Sequence, residues 1–574
     1  MRRPSAIIEN GADARPHMER DKDALYFVPL GGLEEIGRNC SYFEYGDEIV
    51  VVDFGIQFPE EATPGIDYII PNVSSLIPKR QKIKAIIFTH GHYDHIAAIH
   101  YAVEKLGNPI LITSQFTRHM IEKRHEEFTN APRLRFETVT DGKTVKISNH
   151  FSARFFLVDH TIPEALGFML DTPVGKMVSC GDFRMEIDKH GKPQNTDVFK
   201  TVGKEGIHSF FVDATNADYE GFSDSEEAVT ENLDMLIKNS RGRVIVGAFA
   251  SILDRIFEVM KIAEKYGRHV ALNGRSMKTN LEIAKNLGYL KWRKEDFIPL
   301  EEINKYPDEK VLLLTTGAQG EANAGLMRIV SGEHRFVRLK QDDTVIFSSS
   351  VVPGNERSVQ FLQDNIARQV DELYNTKLLD IHVSGHGKAE DIKLAMKLVK
   401  PRFVVPIHAY YFKRKMVVKH GAAIGMPNGS VMMMDNGQVA RLTKDGFEIT
   451  EEKVDSSYVM VDGLGVGDVG EVVIRDRLVL AQEGMIVIIA TISRRTGRIL
   501  KNPDIISRGF IYLKENQEIL NEIRKRMRAI IGRLPENQEA DPDYLKKQIR
   551  DQIGQYVFNK TRRRPLILPV IIEI

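Results

Sequence analysis

The feature that most constrains the fold is a run of metal-binding side chains between a predicted strand and a predicted helix. Residues 89–95 read Thr-His-Gly-His-Tyr-Asp-His, so three imidazoles and one carboxylate lie within six positions. The run 84–88 before them is typical of a buried strand, and residues 96–103 have helical periodicity. Burying several imidazoles beside a core strand is costly without a cation, so the run predicts a metal site rather than a polar surface loop.

Imidazole and carboxylate are the ligands that Zn²⁺ and similar cations prefer, and catalytic sites keep a position open for water. Further apolar strands along the chain also end in such residues: Asp53 after 48–52, Asp159 and His160 after 153–158, Asp182 after 176–181, and His408 after 401–407. A single residue of this kind more often belongs to a turn. Their repetition predicts that they meet at one edge of a layered α/β fold.

This convergence predicts a binuclear site with the two ions about 3.5–4 Å apart. One ion is predicted to be held by His90, His92 and His160, the other by Asp94, His95 and His408, with Asp182 bridging them. Asp53 is predicted to orient a ligand imidazole or the attacking water from the second coordination shell.

Length and composition bound the remaining possibilities. The 574 residues predict two or three domains, and 79 basic against 79 acidic residues give no bulk charge from which a nucleic-acid partner could be argued. Two cysteines, Cys40 and Cys180, exclude a disulfide framework and suit a reducing cytoplasm. No apolar run is long enough to span a bilayer, so no membrane partner is expected. The charged residues 1–22 are predicted to be a disordered tail rather than a signal peptide.

The order Asp53, His-x-His-x-Asp-His, His160, Asp182 and His408 resembles the metallo-β-lactamase fold. The long insertion before His408 resembles a β-CASP domain, and finer motifs resemble the ribonuclease J family. The motifs are found at residues 29–37, 58–60, 212–216, 249–251, 274–277, 316–321, 352–356, 382–386, 461–463, 475–477, 507–510 and 562–565. The similarity extends from about residue 24 to the end of the chain.

The resemblance implies an α/β fold: a metallo-β-lactamase αββα sandwich with an inserted β-CASP α/β domain and a small C-terminal α+β domain. The predicted bounds are 1–22 for the tail, 23–210 and 351–453 for the two parts of the metallo-β-lactamase domain, 211–350 for the β-CASP domain, and 454–574 for a C-terminal domain associated with oligomerisation and RNA. Within the last domain, residues 458–487 are predicted to be strand-like, 516–533 helical, a second helix begins at 543, and 566–572 form a strand.

The resemblance also implies a zinc-dependent ribonuclease with two Zn²⁺ per subunit, for which Mn²⁺ or Mg²⁺ can substitute. It implies 5′-to-3′ exonuclease activity on 5′-monophosphorylated single-stranded RNA, endonuclease activity, and a role in mRNA decay and in the maturation of rRNA and other RNAs. Asp213 is carried over as the proton donor and His386 as the acceptor. The segment His382, Val383, Ser384, Gly385 and His386 is carried over as the substrate-binding loop; otherwise it is a strand-to-helix loop whose serine caps the helix from Ala389.

A glycine-rich turn at 317–320, beside Ser348–Ser350, is predicted to help line an anion pocket. The chain departs from the family pattern at Ala97, Ala98 and Ala409, none of which is a predicted ligand. Expected partners are single-stranded RNA, a second copy in a homodimer or homotetramer, and other RNA-decay proteins. Two alternative functions remain: a small-molecule metallo-hydrolase of the lactamase or lactonase type, and a non-catalytic RNA-binding assembly protein.

Overall fold

The computed structural model describes residues 20–59, 63–128, 131–292, 296–321, 323–352, 354–463, 465–494, 498–511, 516–532 and 542–574. The described chain forms two compact units, one of residues up to Gln57 with Ile70–Tyr458 and one of Phe58–Ile69 with Val459–Ile574. Most of the predicted N-terminal tail, residues 1–19, lies outside the described residues. Arg20 forms ion pairs with Glu44 and Glu452. The finer domain bounds stay predictions.

The strands follow one another along the whole described chain. They are β1 (Leu25–Gly31), β2 (Cys40–Tyr45), β3 (Glu48–Val52), β4 (Tyr68–Ile70), β5 (Ile83–Ile87), β6 (Ile110–Thr113), β7 (Arg135–Thr138), β8 (Thr144–Lys146), β9 (Ser152–Leu157), β10 (Leu166–Thr172), β11 (Gly175–Ser179), β12 (Ile207–Asp213), β13 (Val244–Ala248), β14 (His269–Asn273), β15 (Val311–Thr315), β16 (Thr344–Ser348), β17 (Glu372–Tyr374), β18 (Phe403–Ile407), β19 (Gln438–Leu442), β20 (Phe447–Lys453), β21 (Val459–Asp462), β22 (Gly465–Val466), β23 (Met485–Ile492), β24 (Asp504–Arg508) and β25 (Leu566–Glu573).

The helices lie mostly between consecutive strands. They are α1 (Tyr93–Ile96), α2 (Ile99–Ala102), α3 (Gln115–His125), α4 (Asp197–Gly203), α5 (Glu226–Asn239), α6 (Leu253–Lys265), α7 (Arg275–Asn286), α8 (Gly325–Val330), α9 (Glu356–Ala367), α10 (Ala389–Val399), α11 (Tyr411–Ala423), α12 (Glu471–Glu483), α13 (Gln517–Ile531) and α14 (Pro542–Thr561), with 3₁₀ turns at Ile77–Lys82, Leu300–Lys305 and Asp308–Lys310.

Two sheets of the first unit pack face to face. The first has the strand order β20-β19-β1-β2-β3-β5-β6-β7, and the second β18-β12-β11-β10-β9-β8. Their facing sides share one core, in which the rings of Phe27, Phe43 and Phe211 lie within 5.3 Å of one another between centroids. Helices α4, α10 and α11 cover the outer face of the second sheet. Since each strand alternates its side chains between faces, this layering leaves the strand ends as the place for polar residues.

A third sheet in this unit has the order β14-β15-β13-β16-β17, and every registered pair in it is parallel. Its strands are almost continuously apolar, as expected for a parallel sheet covered on both faces. At the amino end of β13, buried Arg243 donates to both carboxylate oxygens of Asp343, with Nε–Oδ1 and Nη2–Oδ2 distances of 2.9 and 2.6 Å.

The second unit is built on β23, which pairs antiparallel with β24 and parallel with β25. Helices α13 and α14 cover one face of this sheet, and both agree with the helices predicted from the sequence. The prediction of a strand-like 458–487 is wrong in part, because α12 occupies residues 471–483. Apolar triplets at 472–474 and 478–480 are typical of strands as well as helices, but Ile474 and Leu478 pack in one cluster at helical spacing. Among the described residues, no helix is long and apolar enough to cross a membrane.

Candidate metal centre

The histidine-rich loop is locked against the segment that follows β3. Phe54 N donates to His95 O at 2.7 Å, Ile56 N to Tyr93 O at 3.1 Å, and Asn39 N to Asp94 O at 3.1 Å. A Cβ added to Gly55 would lie 1.5 Å from the carbonyl oxygen of Asp94, so only glycine permits this approach. The loop is therefore held by backbone contacts that do not involve its metal-binding side chains.

The structure brings the side chains of the first predicted ligand group close together. Nδ1 of His92 lies 3.1 Å from Nε2 of His90 and 3.0 Å from Nε2 of His160. Nε2 of His90 is 3.5 Å from Oδ2 of Asp182. The ligand atoms of these four side chains all lie within 4.8 Å of one another.

The second predicted group lies beside the first and shares Asp182 with it. Nε2 of His95 is 3.2 Å from Oδ2 of Asp182, and Nδ1 of His408 is 2.9 Å from Oδ1 of the same carboxylate. Nε2 of His408 is 3.2 Å from Oδ2 of Asp94. Asp182 is thus the residue at which the two groups join.

Hydrogen bonds behind the ligands orient two imidazoles. Nδ1 of His160 donates to the carbonyl of Gly385 at 2.7 Å, and Nδ1 of His95 pairs with Oδ2 of Asp53 at 2.8 Å. Asp53 also accepts from the backbone N–H of Thr89 at 2.9 Å. A proton held on Nδ1 leaves Nε2 with a lone pair that faces the centre, which is the arrangement that metal-binding histidines use.

Electrostatics differ between the two groups. Burial lowers the pKa of His90 and His160 well below the ordinary imidazole value, and it lowers that of His92 to about 4. Against the effect of burial, the carboxylates of Asp182 and Asp94 raise the pKa of His95 well above its ordinary value and that of His408 to about 10. The first group therefore offers neutral imidazoles. In the second group, His95 and His408 hold protons that a bound cation would displace.

This donor set fits divalent cations that accept nitrogen and oxygen ligands. In the first group, three ring nitrogens converge at distances where no more than one proton can serve each pair, so several lone pairs face one another. Such an arrangement is costly unless a cation lies between them. Four ligands in each group, with one carboxylate in common, match the pattern of sites that bind two ions.

A third cluster extends the centre towards the predicted acid–base pair. Nδ1 of His386 lies 2.7 Å from Oδ2 of Asp213, and 3.9 Å from Oδ2 of Asp182. Oδ1 of Asp213 accepts from the backbone N–H and the hydroxyl of Thr215, at 2.8 and 2.7 Å. Asp213 is 1% exposed, whereas His386 is 21% exposed. Although burial opposes it, the carboxylates of Asp213 and Asp182 raise the pKa of His386 above its ordinary value.

The predicted substrate loop is placed beside these residues. Asn216 Nδ2 donates to Ser384 Oγ at 2.9 Å and to the carbonyl of His386 at 3.1 Å. Ser384 does not cap the next helix, because the residue before α10 is Lys388, whose backbone N–H donates to Oδ2 of Asp391 at 2.9 Å. Val383 is 1% exposed, so it packs inside the protein rather than facing a ligand. Burial, with the nearby guanidinium of Arg255, lowers the pKa of His382 to about 3.

Two of the predicted residues adopt left-handed backbone conformations where their strands end. The φ of Asp53, after β3, is 57°, and that of His408, after β18, is 56°. The backbone N–H of His408 donates to the carbonyl of Gly32 at 2.7 Å, which holds this turn. The residues that depart from the family pattern, Ala97, Ala98 and Ala409, are fully buried.

Sequence reasoning missed several residues that support the centre. Asn39 Nδ2 lies 3.1 Å from Nε2 of His95, and Glu35, which is buried, accepts from Arg38, Asn436 and the N–H of Gly32. Glu35 belongs to the motif at 29–37, and Asn39 lies two residues after it. Thr215 and Asn216 belong to the motif at 212–216, two and three residues after Asp213. Their positions within or next to these motifs were the available signal. Uncharged side chains and a carboxylate paired with arginine do not by themselves indicate a metal site.

Models of three protein families match the chain. They are the metallo-beta-lactamase superfamily over residues 33–246, the ribonuclease J beta-CASP domain over 241–366, and the ribonuclease J C-terminal domain over 472–574.

Similar proteins extend over nearly the whole chain. Ribonuclease J 1 of Streptococcus pyogenes is 35% identical over 95% of this chain and 96% of its own length. Ribonuclease J2 of Bacillus subtilis is 32% identical over 97% of this chain and 100% of its own. A solved structure of a protein of unknown function from Enterococcus faecalis V583 matches 73% of this chain and 100% of its own with a TM-score of 0.54, at 15% identity. The last similarity concerns the fold alone.

Proposed function

The chain belongs to the ribonuclease J family, and from this premise we propose that it cleaves 5′-monophosphorylated single-stranded RNA from the 5′ end and also cuts internally. It is a metal-dependent nuclease with a metallo-β-lactamase, a β-CASP and a C-terminal ribonuclease J domain. The direction of cleavage, the form of the 5′ end and the roles in mRNA decay and RNA maturation are parts of the proposal.

The observation that carries this proposal is the pair of ligand groups that share Asp182. Its side chain is almost fully buried, and its two oxygens face His95 and His408 at 3.2 and 2.9 Å. We assign His90, His92 and His160 to one ion and Asp94, His95 and His408 to the other, with two Zn²⁺ per subunit and Mn²⁺ or Mg²⁺ as substitutes. Ions in such a site supply Lewis acidity that activates water and stabilises charge on phosphate oxygens.

Proton transfer is the task of the pair Asp213 and His386. The two side chains share a hydrogen bond of 2.7 Å, so they exchange a proton as one unit. His386 is the member that substrate can reach, because Asp213 is almost fully buried. In the proposed reaction, Asp213 is the proton donor and His386 the acceptor of this pair, and His386 exchanges the proton with the reacting oxygen. Thr215 holds Asp213 in place through two hydrogen bonds.

Recognition of the 5′ end is assigned to the loop 382–386. A Cβ on Gly385 would lie 2.5 Å from Cε1 of His160, so the loop passes the first ligand group as closely as a backbone can. His382 has a strongly lowered pKa and is neutral, and therefore would act on a phosphate as an N–H donor rather than as a charge. A 5′-phosphate held here lies next to the centre, which accounts for removal of single nucleotides.

Partners and location complete the proposal. We propose single-stranded RNA as the substrate, assembly into a homodimer or homotetramer, contact with other RNA-decay proteins, and a cytoplasmic location. No observation favours a lactamase or lactonase activity or a non-catalytic role, because the ligand groups are complete and the family models extend through the β-CASP and C-terminal regions.

The test uses the purified full-length chain and one RNA labelled at either end. With 5′-monophosphate RNA we expect the 5′ label to be released as mononucleotide, a block by a 5′-triphosphate, and complete loss of cleavage after chelation. Restoring Zn²⁺ is expected to restore activity, with Mn²⁺ and Mg²⁺ as comparison arms.

Equal degradation from both ends would contradict the proposed polarity. Cleavage that persists in the chelated protein would contradict the proposed role of the metal centre. A panel of lactams and lactones run beside the RNA assay provides the matched control for small-molecule hydrolysis.

A further inference from the structure

The carbonyl oxygen of Ile381, directly before the substrate loop, is held by two donors from different elements. Oγ of Ser348, the last residue of β16, donates to it at 2.7 Å, and Nη1 of Arg255 in α6 donates to it at 2.9 Å. A carbonyl oxygen has two lone pairs, so both are used. All three groups are buried, and the loop therefore begins from a fixed point on the parallel sheet that contains β16.

Arg255 is itself connected to the segment that carries Asp182. Its Nη2 pairs with Oε2 of Glu226 at the start of α5, and Oε1 of Glu226 lies 3.4 Å from Nη2 of Arg184. Arg184 is two residues after Asp182, and it also pairs with Glu186 at 2.6 Å. Arg255 is 2% exposed, so it contacts protein groups and cannot reach an RNA chain.

The far end of the loop is held by the same segment after Asp182. The backbone N–H of Gly387 donates to the carbonyl of Phe183 at 2.7 Å, and Nδ1 of His160 donates to the carbonyl of Gly385 at 2.7 Å. The loop is thus fixed just before its first residue, where Arg255, Glu226 and Arg184 connect to Ile381. It is fixed just after its last residue, where Gly387 contacts Phe183. Both attachments lead back to the residues next to the shared carboxylate.

We propose that Arg255 is a positioning residue: through Ile381 and Glu226 it sets the distance between the 382–386 loop and the metal centre, and thereby the preference for a 5′-monophosphate. This inference rests on the proposed function of the loop. Because Arg255 makes its contacts whether or not RNA is bound, its effect is on the geometry of binding rather than on the reacting atoms. A buried guanidinium that joins a carboxylate to a carbonyl has a bidentate geometry that lysine cannot reproduce.

The test compares Arg255→Lys, Glu226→Gln and Ser348→Ala in the full-length enzyme. For each variant, kcat and KM are measured on RNAs that differ only in a 5′-monophosphate or a 5′-hydroxyl. In Arg255→Lys we expect KM for the monophosphate RNA to rise about tenfold and kcat to change less than about twofold. A tenfold rise corresponds to the free energy of roughly one charged hydrogen bond, which the shorter lysine cannot make. The preference over the hydroxyl end falls by the same factor. Glu226→Gln and Ser348→Ala are expected to show smaller shifts in the same direction.

Arg243→Lys is the matched control. Arg243 is as deeply buried, lies in the same parallel sheet region, and pairs with Asp343, but it is at the opposite edge from the loop. We expect this variant to lose thermal stability and to keep the wild-type end preference. Ser348→Ala, which removes only one hydroxyl, keeps the test decisive if the charged variants fold poorly.

An unchanged end preference in both Arg255→Lys and Ser348→Ala would overturn the positioning role, as would an equal loss in Arg243→Lys. These outcomes differ from failure of the proposed function itself. In that case the wild-type enzyme would show no preference between the two 5′ ends, before any variant is compared.

Discussion

Parallel strands of the two facing sheets end in charged residues, whereas parallel strands of the third sheet end in neutral residues. These two sets of strand ends are called the charged edge and the neutral edge. Asp53 follows β3, Asp213 ends β12, and His408 follows β18. In the third sheet, by contrast, β14 ends at Asn273, β15 at Thr315 and β16 at Ser348. Both edges are the places where ligands collect in α/β folds, so position alone does not distinguish them.

The two edges differ in whether their residues satisfy one another's hydrogen-bond donors and acceptors. At the neutral edge, Asn273 Nδ2 donates to Thr315 Oγ1 at 3.0 Å, Thr315 donates to the carbonyl of Thr316 at 3.1 Å, and Ser348 donates to Ile381. At the charged edge, ring nitrogens of His90, His92 and His160 face one another with too few protons between them. An edge whose groups are already paired supports neighbouring structure, whereas an edge with unmatched lone pairs needs a cation.

This comparison revises one expectation from the sequence. The turn 317–320, beside Ser348–Ser350, is predicted to help line an anion pocket, but the hydroxyl of Ser348 holds the carbonyl of Ile381. Gln319 in the turn is also engaged, since its amide donates to the carbonyl of Ser350 and accepts from the N–H of Val352. These two side chains therefore support the loop and the turn instead of facing a ligand.

The largest effect should come from the carboxylate that both ligand groups share. Asp182→Asn is expected to lower RNA cleavage by about 10³-fold or more, because a shared ligand affects every charge-stabilising contact of both ions. Single-turnover cleavage and bound zinc per subunit measure it. Asp343→Asn removes an equally buried carboxylate far from the charged edge and serves as the control. Near-normal cleavage and metal content in Asp182→Asn would remove the basis of the comparison.

A slightly smaller effect is expected at the acid–base pair. His386→Ala should reduce kcat by about 10²-fold while metal content stays normal, because proton transfer is lost and the ligand groups remain. Rapid-quench cleavage with saturating RNA separates this loss from a change in binding. If zinc is lost together with activity, His386 belongs to the ligands of the third cluster rather than to proton transfer.

Asp53 tests how far the charged edge depends on its support. Asn at this position has one acceptor oxygen for two donors, so an amide N–H would face either Nδ1–H of His95 or the backbone N–H of Thr89 and disturb the support of the imidazole. We expect Asp53→Asn to weaken metal affinity and cleavage by about 10- to 100-fold, as other supporting residues do. Competition with a chelating dye measures the affinity. An affinity equal to that of the wild type would show that His95 is oriented by Asn39 alone.

The smallest effect on cleavage is expected at the neutral edge. Thr315→Val leaves the amide of Asn273 without its partner, so we expect a loss of about 1–2 kcal/mol in unfolding free energy. Cleavage of RNA should change by less than about threefold. Thermal unfolding and steady-state kinetics measure the two effects. A tenfold or greater loss of cleavage would mean that the neutral edge takes part in substrate binding and does more than support neighbouring structure.

Much of the centre was predictable because its residues are of metal-binding types and occur in recognisable sequence positions. His90, His92, Asp94 and His95 are adjacent in the chain, and His160, Asp182 and His408 each follow an apolar strand. The structure brings these seven side chains together, and their assignment to two ions remains a proposal. Helices and strands with clear periodicity, such as α13 and β25, were also expected from the sequence.

The supporting contacts could not be predicted in the same way. The partners of Arg255 are Ile381 and Glu226, which are 126 and 29 residues away along the chain. Nothing in local periodicity indicates which buried carbonyl a guanidinium will meet, since that depends on how two sheets pack. For the same reason α12 was missed, because its triplets of apolar residues fit a strand until their packing is known.

The backbone clamp between residues 54–56 and 93–95 has a consequence for how the enzyme acquires its ions. The clamp consists of amide–carbonyl contacts and a glycine approach that do not involve imidazole or carboxylate groups. The ligands Asp94 and His95 would therefore keep their places before an ion binds, so that loading of an ion requires proton release but no refolding of this loop.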